Sequence, residues 1–459
     1  MVLDFDLGTL TLSGCAAEPP PEVKKWLTND PRTGNYRARA CDYAGLFLAL
    51  QSSRVAFTDR ARAFAPIELE DPGIKLRPHQ QRALAAWQSA GFRGVAAMPT
   101  GSGKTILAVA AIARLHRPTL VLVPTIDLLT QWTQLLERFF SCKVGMLGGG
   151  SHEVLPLTVS TYDSAILNME FIGNRFAFLV ADECHHLPGT ETRFAAAMCI
   201  APYRLGLSAT PELPEERAEV LKDLIGPTVI EVSIAELEGE SLSPYRVVTL
   251  RVPLDPREKE LYQQNRAVYT AFLRRNRLTF NSGGDWSRFL QLCARTAEGR
   301  QVMRAFLEQR RIARGGRAKL RTVWELANRH AGERMLIFTA DNATAYELGR
   351  LFFWPVLTHH TKAAERKEFL DRFRSGEYPV LVTSKVLNEG VDVPAAAVGV
   401  ILSGSGSVRE HVQRLGRILR PAPGKAQAVL YELISADTSE ENVSRRRRNH
   451  DAYRRRRHA

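Results

Sequence analysis

The sequence predicts an α/β fold made of two doubly wound parallel-sheet domains, with a helical insert between them and a small α+β module at the N-terminus. Two stretches, at about 74–235 and 331–436, alternate short apolar runs with longer amphipathic segments, the pattern of buried parallel strands joined by helices. Residues 245–330 carry long arginine-rich amphipathic segments instead. At 459 residues, the chain is too long for one hydrophobic core.

The N-terminal module is placed at residues 1–73. It mixes short apolar runs with the turn-rich segments Glu18–Pro21 and Asn29–Gly34, which predicts a small α+β unit. No residue pattern in this module indicates chemistry.

Composition places the chain among ordinary soluble proteins of a reducing compartment. No apolar run reaches the roughly 18–20 residues that a membrane span needs, and the acidic N-terminus does not resemble a signal peptide. The six cysteines are scattered without a Cys-x-x-Cys pair, which argues against a disulfide framework or a zinc site. We therefore expect a cytoplasmic protein with no membrane partner.

The first α/β domain is placed at 74–240, where apolar runs predict buried parallel strands and longer segments predict helices. The predicted strands are Gly94–Met98, Thr119–Val123, Leu157–Thr161, Phe176–Ala181 and Tyr203–Leu207, and the predicted helices include Lys104–Leu115 and Ile126–Phe140.

The insert is placed at 241–330 and the second α/β domain at 331–436. Two long helices, Lys259–Leu273 and Gly299–Trp324, are predicted around a polar loop of the insert. We assign Trp286 and Phe289 to its core, with stacking on nucleic-acid bases as the alternative. The second domain has predicted strands at Met335–Thr339, Val356–His359, Val380–Thr383, Val398–Leu402 and Ala428–Leu433.

The last segment, 437–459, is a basic tail. Residues 445–459 hold eight arginines against one aspartate, and so contribute +7 to the net charge of +13. Two interpretations stay open: sequence-independent attraction to phosphates, or a solvated end that aids solubility.

The strongest single motif is MPTGSGKT at residues 98–105, between a predicted strand and a predicted helix. Gly101 and Gly103 allow main-chain N–H groups to surround phosphates at a helix N-terminus, where the dipole favours anions. In a P-loop of this kind, Lys104 contacts the β/γ-phosphates of ATP and the Thr105 hydroxyl binds Mg²⁺. The first residue is Met where the full pattern has Gly, and the alternative is a turn that opens an ordinary helix. The predicted ATP-contacting residues of the loop are Thr100, Gly101, Ser102, Gly103, Lys104 and Thr105.

A carboxylate pair follows the apolar run Phe176–Ala181 directly. Open α/β sheets bind ligands at the carboxyl ends of their strands. There Asp182 would hold Mg²⁺ and Glu183 would orient and deprotonate the attacking water. Alone, such a pair is usually a solvated helix start, but behind a P-loop it indicates catalysis. The adjacent His185 and His186 lack the further ligands of a metal site.

Four more segments, in chain order with the two above, resemble the motifs of superfamily 2 helicases. They are Leu76–Gln80 (the adenine-reading Q-type motif), Ser208–Thr210 (motif III), Asn388–Pro394 (motif V) and Gln413–Arg420 (motif VI). The two α/β domains are thereby expected to be RecA-like, with the ATP site between them. Within the superfamily, the Asp-Glu-Cys-His-His box and Gln-Arg-Leu-Gly-Arg-Ile-Leu-Arg-Pro resemble the XPB branch in its compact archaeal and bacterial form. The insert then occupies the place of that branch's thumb-like element, and residues 1–73 that of its damage-recognition module.

The resemblance implies roles for individual residues. Arg77 and Gln80 would bind adenine, Gly390 and Asp392 would line the nucleotide, and Arg417 and Arg420 would be arginine fingers. Coupling between ATP and nucleic acid would involve His185, Ser208, Thr210 and Gln413. Contacts with the nucleic-acid backbone would involve Thr125, Gly149, Thr161, Thr339 and Thr383. For each threonine, capping of the next helix is the alternative.

The expected function is that of a DNA-dependent ATPase, a helicase or duplex translocase acting in DNA repair or related remodelling. ATP and Mg²⁺ are the expected cofactors. Duplex or forked DNA is the expected partner, and a nuclease or another repair protein is left open as a further partner. The XPB-like details favour DNA over RNA. XPB-type proteins carry Arg-Glu-Asp shortly after motif III, and residues 212–217 lack it, which favours translocation over strand separation. The alternatives are the motor subunit of a restriction or defence complex, and a nucleic-acid-binding scaffold with little turnover.

Overall fold

A computed structural model describes residues 1–15, 18–54, 56–209, 213–237, 244–280, 283–384, 396–403 and 427–447. The chain divides into two compact units, Met1–Glu236 and Leu237–Ala459. None of the helices in the described ranges is long and apolar enough to cross a membrane.

The N-terminal module is α+β, as predicted. Its sheet has the order β3-β4-β2-β1-β5. The elements are β1 (Val2–Asp6), β2 (Thr9–Ser13), α1 (Pro21–Lys24), β3 (Thr28–Asp30), β4 (Asn35–Arg39), α2 (Tyr43–Ser52) and β5 (Thr58–Asp59). Leucines of β1, β2 and α2 form its core, and Ile200 from the following domain packs into that core. The Arg39 guanidinium also donates to the Asp223 carboxylate at 2.7 Å and 3.1 Å. The module is therefore part of the same compact unit as the first α/β domain.

The first α/β domain is built on a sheet of eight described strands in the order β13-β6-β12-β11-β7-β10-β8-β9. Neighbouring strands are parallel except β8 and β9. The strands are β6 (Arg93–Ala97), β7 (Thr119–Val123), β8 (Gly145–Gly148), β9 (Ser151–His152), β10 (Leu157–Thr161), β11 (Phe178–Ala181), β12 (Tyr203–Ser208) and β13 (Thr228–Glu231). The helices are α3 (Pro78–Ser89), α4 (Lys104–Leu115), α5 (Ile126–Phe140), α6 (Tyr162–Ile172), α7 (Phe194–Ala197), α8 (Glu215–Leu224) and α9 (Ile234–Leu237).

All predicted strands of this domain are present to within two residues, and α4 and α5 have the predicted bounds. Strands β8, β9 and β13 were not predicted. Both β8 and β9 are short and meet at a glycine turn, and β13 is a half-exposed strand at the sheet edge, so none of them has a long apolar run.

The second unit contains a parallel sheet of six described strands in the order β14-β19-β18-β15-β17-β16. The strands are β14 (Tyr245–Val252), β15 (Met335–Phe338), β16 (Val356–Leu357), β17 (Val380–Thr383), β18 (Val398–Ile401) and β19 (Ala428–Ser435). The helices are α10 (Pro256–Arg275), α11 (Gly283–Arg295), α12 (Ala297–Gly315), α13 (Arg317–Arg329), α14 (Asn342–Phe352), α15 (Ala363–Ser375) and α16 (Glu440–Arg447).

The insert differs from its prediction at both ends. Residues 245–252 were placed in the helical insert but form β14, which pairs with β19 along its whole length, because the run is rich in β-branched residues. The predicted helix Gly299–Trp324 is two helices, α12 and α13, separated at Gly316, whose ψ of 148° is not helical. Helix α13 packs on the core of the second sheet.

The remaining insert helices have a core of their own. Phe289 is buried in it, as predicted, together with Phe272, Leu278, Cys293 and Val302. Trp286 differs, because it is 40% exposed and stacks on Phe289 with ring centroids 5.3 Å apart.

The first part of the predicted basic tail is a packed helix, and not a solvated end. Helix α16 lies within it, and its Glu440 and Ser444 are buried. Glu440 forms an ion pair with buried Lys319 of α13, and Lys319 also donates to Leu402 O at 2.9 Å. These contacts hold α16 on the second unit.

Candidate functional site

The P-loop joins β6 to α4 at the carboxyl edge of the first sheet. Gly101 and Gly103 have φ of 88° and 84°, in the left-handed region that glycine adopts without strain. The loop is tied to the neighbouring strand, since Met98 N donates to Ser208 O at 2.8 Å. Helix α4 begins at Lys104, so its first main-chain N–H groups are directed into the loop.

The loop contains buried polar groups without partners. Thr100 Oγ1 and Ser102 Oγ are buried and form no hydrogen bond. Lys104 Nζ donates to the loop's own Met98 O at 3.2 Å. Buried hydroxyl groups are nearly always hydrogen-bonded in folded proteins. A phosphate in the loop would give the two hydroxyls an acceptor and Lys104 a charged partner.

Gln80 lies behind the loop and braces it. Its Nε2 donates to Ser102 O and Gly103 O, each at 3.1 Å, and its Oε1 accepts from Arg77 N at 2.9 Å. Gly103 has φ of 84°, which disfavours a side chain, and an added Cβ would lie 2.3 Å from Gln80 Nε2 and displace this brace. His79 Nε2 donates to Ser102 O at 2.8 Å from the same helix. The predicted adenine-reading segment thus packs on the phosphate loop, and Arg77 itself is exposed.

Asp182 follows β11, which β12 separates from the P-loop strand β6. Its Oδ2 accepts from Trp132 Nε1 at 2.8 Å and its Oδ1 from Glu183 N at 3.0 Å. Burial, with a smaller contribution from the charge of Glu183, raises the pKa of Asp182 to about 6, against the opposing charge of Lys104. Asp182 and the P-loop thus lie at the same carboxyl edge of the sheet.

Glu183 adopts a backbone conformation that is unfavourable for its residue type. Its φ of 47° and ψ of 49° are left-handed, which costs about 1–2 kcal/mol for a side chain with a Cβ. Glu183 Oε2 is buried without a hydrogen bond. Backbone strain and a buried carboxylate oxygen without a hydrogen bond in the same residue are typical of a functional position.

His185 lies between this glutamate and motif III. Its Nδ1 is 3.4 Å from Glu183 Oε2 and 3.5 Å from Ser208 Oγ. Of the residues predicted for coupling, the structure describes His185 and Ser208, and His185 contacts both Ser208 and Glu183.

The donors at this edge fit a magnesium ion. A carboxylate from Asp182 and a hydroxyl from Thr105, in the first turn of α4, are the hard oxygen ligands that Mg²⁺ takes beside phosphates. In the described ranges, no group of three or more His, Cys, Asp and Glu residues is arranged as an all-protein metal site.

Three residues predicted to contact nucleic acid lie together at the same edge of the first sheet. Thr125 caps α5 by accepting from Leu128 N at 3.3 Å, and Thr161 caps α6 by accepting from Ser164 N at 3.2 Å. Between them, the β8–β9 turn brings Gly149 to Ile126, where an added Cβ would lie 3.3 Å from Ile126 Cγ2. Each threonine therefore has its capping role, at a helix N-terminus that favours an anion.

The two threonines predicted in the second unit are also neighbours. Thr339 N donates to Thr383 O at 2.9 Å, and Thr339 Oγ1 donates to Asp341 O at 2.9 Å. Thr383 Oγ1 is buried without a hydrogen bond in the described structure.

Six predicted site residues lie outside the described residues, and their roles stay predictions. They are Thr210, Gly390, Asp392, Gln413, Arg417 and Arg420.

Sequence reasoning missed two residues that contact Asp182. Trp132 of α5 donates to its carboxylate, and the Tyr162 hydroxyl of α6 donates to its main-chain O at 2.9 Å. Both aromatic residues are buried. The signal was available, because buried Trp and Tyr need partners for their polar atoms, but the sequence does not say which partner they find.

Comparison with known proteins gives three family models along the chain. Residues 3–61 match the Xeroderma pigmentosum group B helicase damage recognition domain, residues 73–213 the Type III restriction enzyme res subunit, and residues 318–422 the Helicase conserved C-terminal domain.

Curated relatives and a solved structure agree with these models. The chain is 38% identical to a protein of Sulfurisphaera tokodaii named DNA 3'-5' translocase XPB2, over 83% of this chain and 87% of that one. It is 31% identical to the DNA 3'-5' helicase XPB of Mycobacterium tuberculosis, over 81% of this chain but only 63% of the relative. The crystal structure of the Pyrococcus furiosus Hef helicase domain matches with a TM-score of 0.54 at 18% identity, covering 82% of this chain and 98% of that one, which supports the two-domain helicase fold.

Proposed function

The chain belongs to the XPB family of superfamily 2 DNA helicases and translocases, and on that premise we propose that it hydrolyses ATP at its P-loop to translocate on or remodel duplex or forked DNA. DNA repair or related DNA processing is the proposed setting. A nuclease or another repair protein is the proposed partner, because the sequence itself carries no nuclease motif. The six unpaired cysteines are consistent with work in a reducing cytoplasm.

The proposal rests on buried polar atoms that form no hydrogen bond, which lie in the P-loop and at Glu183. Two buried hydroxyls of the P-loop form no hydrogen bond, and Glu183 Oε2 forms none either, with His185 Nδ1 3.4 Å away. A bound nucleoside triphosphate and its attacking water would supply hydrogen-bond partners for the two hydroxyls and for the Glu183 carboxylate. The phosphate loop follows β6 and the carboxylate pair follows β11, with one strand between them in the same parallel sheet, so we assign both to one site.

Each side chain then has a defined task. Lys104 leaves Met98 O and neutralises charge on the β/γ-phosphates, and Gln80 keeps the loop in shape. Magnesium, held by Asp182 and Thr105, would neutralise phosphate charge when bound. Glu183 orients the attacking water and accepts its proton.

The remaining positive charge is assigned to Arg417 and Arg420. Arginine fingers stabilise the charge that develops on the transferred phosphoryl group and contribute roughly 10³–10⁵ in rate. The two arginines lie three residues apart in the segment that resembles motif VI.

Translocation is favoured over strand separation. The segment that follows motif III in this chain lacks the Arg-Glu-Asp tripeptide, and residues 215–217 instead form the first turn of α8. Duplex DNA is therefore proposed as the track, with Thr125, Gly149 and Thr161 contacting backbone phosphates at the N-termini of α5 and α6.

Steady-state ATP hydrolysis tests the proposal. The rate is measured with duplex, forked and single-stranded DNA, with matched RNA, and without nucleic acid. We expect stimulation by DNA, strongest for duplex or forked forms. Glu183→Gln should lower the stimulated rate at least about 10²-fold, because a general base contributes 10²–10⁴, whereas Glu137→Gln on the exposed face of α5 should not.

Other outcomes select the alternatives. A rate that no nucleic acid changes would support the scaffold or a subunit that needs a partner. Stimulation by RNA and not by DNA would show that RNA is the nucleic acid on which the protein acts.

A further inference from the structure

Two aromatic side chains from different helices hold Asp182. Trp132 of α5 donates to the carboxylate Oδ2 at 2.8 Å, and Tyr162 of α6 donates to the main-chain O at 2.9 Å. All three residues are buried, so these hydrogen bonds are shielded from water.

The same two helices begin at residues proposed to contact DNA. Thr125 is the N-cap of α5 and Thr161 is the N-cap of α6. Trp132 lies seven residues after Thr125, about two helical turns or roughly 10 Å, and therefore on the same side of the helix. Tyr162 follows Thr161 directly.

Trp132 lies on the face of α5 that packs into the domain. This face, formed by Leu129, Trp132, Leu136 and Phe140, is buried in the domain. Packed elements of this kind shift between discrete positions instead of deforming. A displacement at the N-terminus of α5 would therefore reach the indole N–H.

We propose that Trp132 and Tyr162 are positioning residues that couple DNA binding at the N-termini of α5 and α6 to the orientation of Asp182. DNA phosphates bound at the N-termini of α5 and α6 favour one position of these helices. In that position, the Asp182 carboxylate faces the Mg²⁺ ion of the bound nucleotide. This inference rests on the proposed function. Because binding linkage is reciprocal, a nucleotide must change DNA affinity by the factor by which DNA changes nucleotide affinity.

The test compares two conservative variants with a matched control. Trp132→Phe removes an indole N–H, and Tyr162→Phe removes only a hydroxyl. The control is Trp87→Phe, which removes another buried indole from the same domain, one that donates to Arg204 O at 2.8 Å. Duplex DNA affinity is measured by fluorescence anisotropy with and without a non-hydrolysable ATP analogue and Mg²⁺, and the ratio of the two affinities is the readout.

We expect a ratio within the usual range of roughly 5- to 150-fold for the unaltered protein. Trp132→Phe and Tyr162→Phe should each bring it toward one, while Trp87→Phe should leave it unchanged although it loses a similar buried bond. Removing Mg²⁺ from the unaltered protein should also bring the ratio toward one. If the melting temperature of Trp132→Phe is well below that of Trp87→Phe, the affinity ratio is compared between Tyr162→Phe and Trp87→Phe instead.

Failure of the inference and failure of the proposed function give different results. If the ATP hydrolysis rate of the unaltered protein does not change when DNA is added, the proposed function is wrong. DNA-stimulated hydrolysis with an unchanged affinity ratio in both variants overturns the coupling role of Trp132 and Tyr162 alone. A ratio that falls equally in Trp87→Phe would reduce the effect to general loss of packing and overturn it as well.

Discussion

Among single residues, Arg204 of β12 shows how the strand that ends in Ser208 is kept in place. Its side chain is fully buried. The guanidinium donates to Ala201 O at 2.9 Å, Ala196 O at 3.1 Å, Leu224 O at 2.6 Å and Cys199 O at 2.5 Å. One cation therefore satisfies carbonyl groups from α7, the loop after it and the end of α8.

Arg204→Lys should destabilise the first unit strongly. An ammonium cannot reproduce the planar fork, so at least one or two buried carbonyls lose their donor, at about 1–3 kcal/mol each. Thermal unfolding is the measurement, with the exposed Arg175→Lys, whose bond to Val154 O is 3.5 Å long, as the matched control. Equal melting temperatures for the two variants would contradict this account.

The residues that sequence could and could not identify differ in how their partners are arranged. The positions of Lys104, Asp182 and Glu183 after buried strands were predictable, because the phosphate loop and the carboxylate pair are contiguous patterns, while their catalytic roles stay proposals. Trp132 and Arg204 were not, because their roles depend on partners that only tertiary packing brings near them. The strain at Glu183 is likewise a property of the fold, as glutamate gives no sign of a left-handed backbone.

Among the elements, helices α5 and α6 combine a structural and a proposed binding role at one residue each. Thr125 accepts the hydrogen bond that caps α5 and also lies where a phosphate is proposed to bind. The sequence alone is compatible with capping and with phosphate contact. The structure shows the cap, and the two roles are compatible, because a capped N-terminus still has free N–H groups.

Thr125→Asp separates the two roles. Aspartate is as good an N-cap as threonine and favours the positive end of the helix, so the melting temperature should be kept or raised. A carboxylate at the proposed phosphate position should weaken duplex DNA binding, most clearly at low salt. Thr125→Ala is the control, with a stability loss of about 1 kcal/mol. Unchanged DNA affinity in Thr125→Asp would remove Thr125 from the proposed DNA contacts.

Element prediction was best for long apolar strands and weakest where local sequence was short or interrupted. The buried strands of the first sheet were predicted almost to the residue. The prediction of a single helix over Gly299–Trp324 is wrong at Gly316, where the chain is not helical. The predicted insert wrongly includes β14, because the partner strand β19 is far away in sequence. Parallel pairing across such distances has no local signal.

For the whole molecule, the N-terminal module is built into the first unit. Ile200 completes the module's core, and Asn174 both donates to Ala61 O at 3.0 Å and accepts from Ala63 N at 3.0 Å. A module with a shared core and shared main-chain bonds has little stability of its own.

Residues 1–61 and the first α/β domain should therefore unfold in one transition. Hydrogen exchange under increasing denaturant is the measurement, comparing amides of β1 and β2 with those of β7 and β11. We expect the four strands to lose protection together, and Ile200→Ala to shift all four to lower denaturant. Earlier loss in β1 and β2 would show that the module is an independent domain.

The backbone at Glu183 also bears on how such a motor can lose its activity in evolution. Glycine at a left-handed position removes the steric penalty that glutamate bears there. Substitution by glycine at this position is thus favoured by the backbone and opposed by the need for turnover. Relatives of this fold that no longer hydrolyse ATP are therefore expected to carry glycine there more often than active ones.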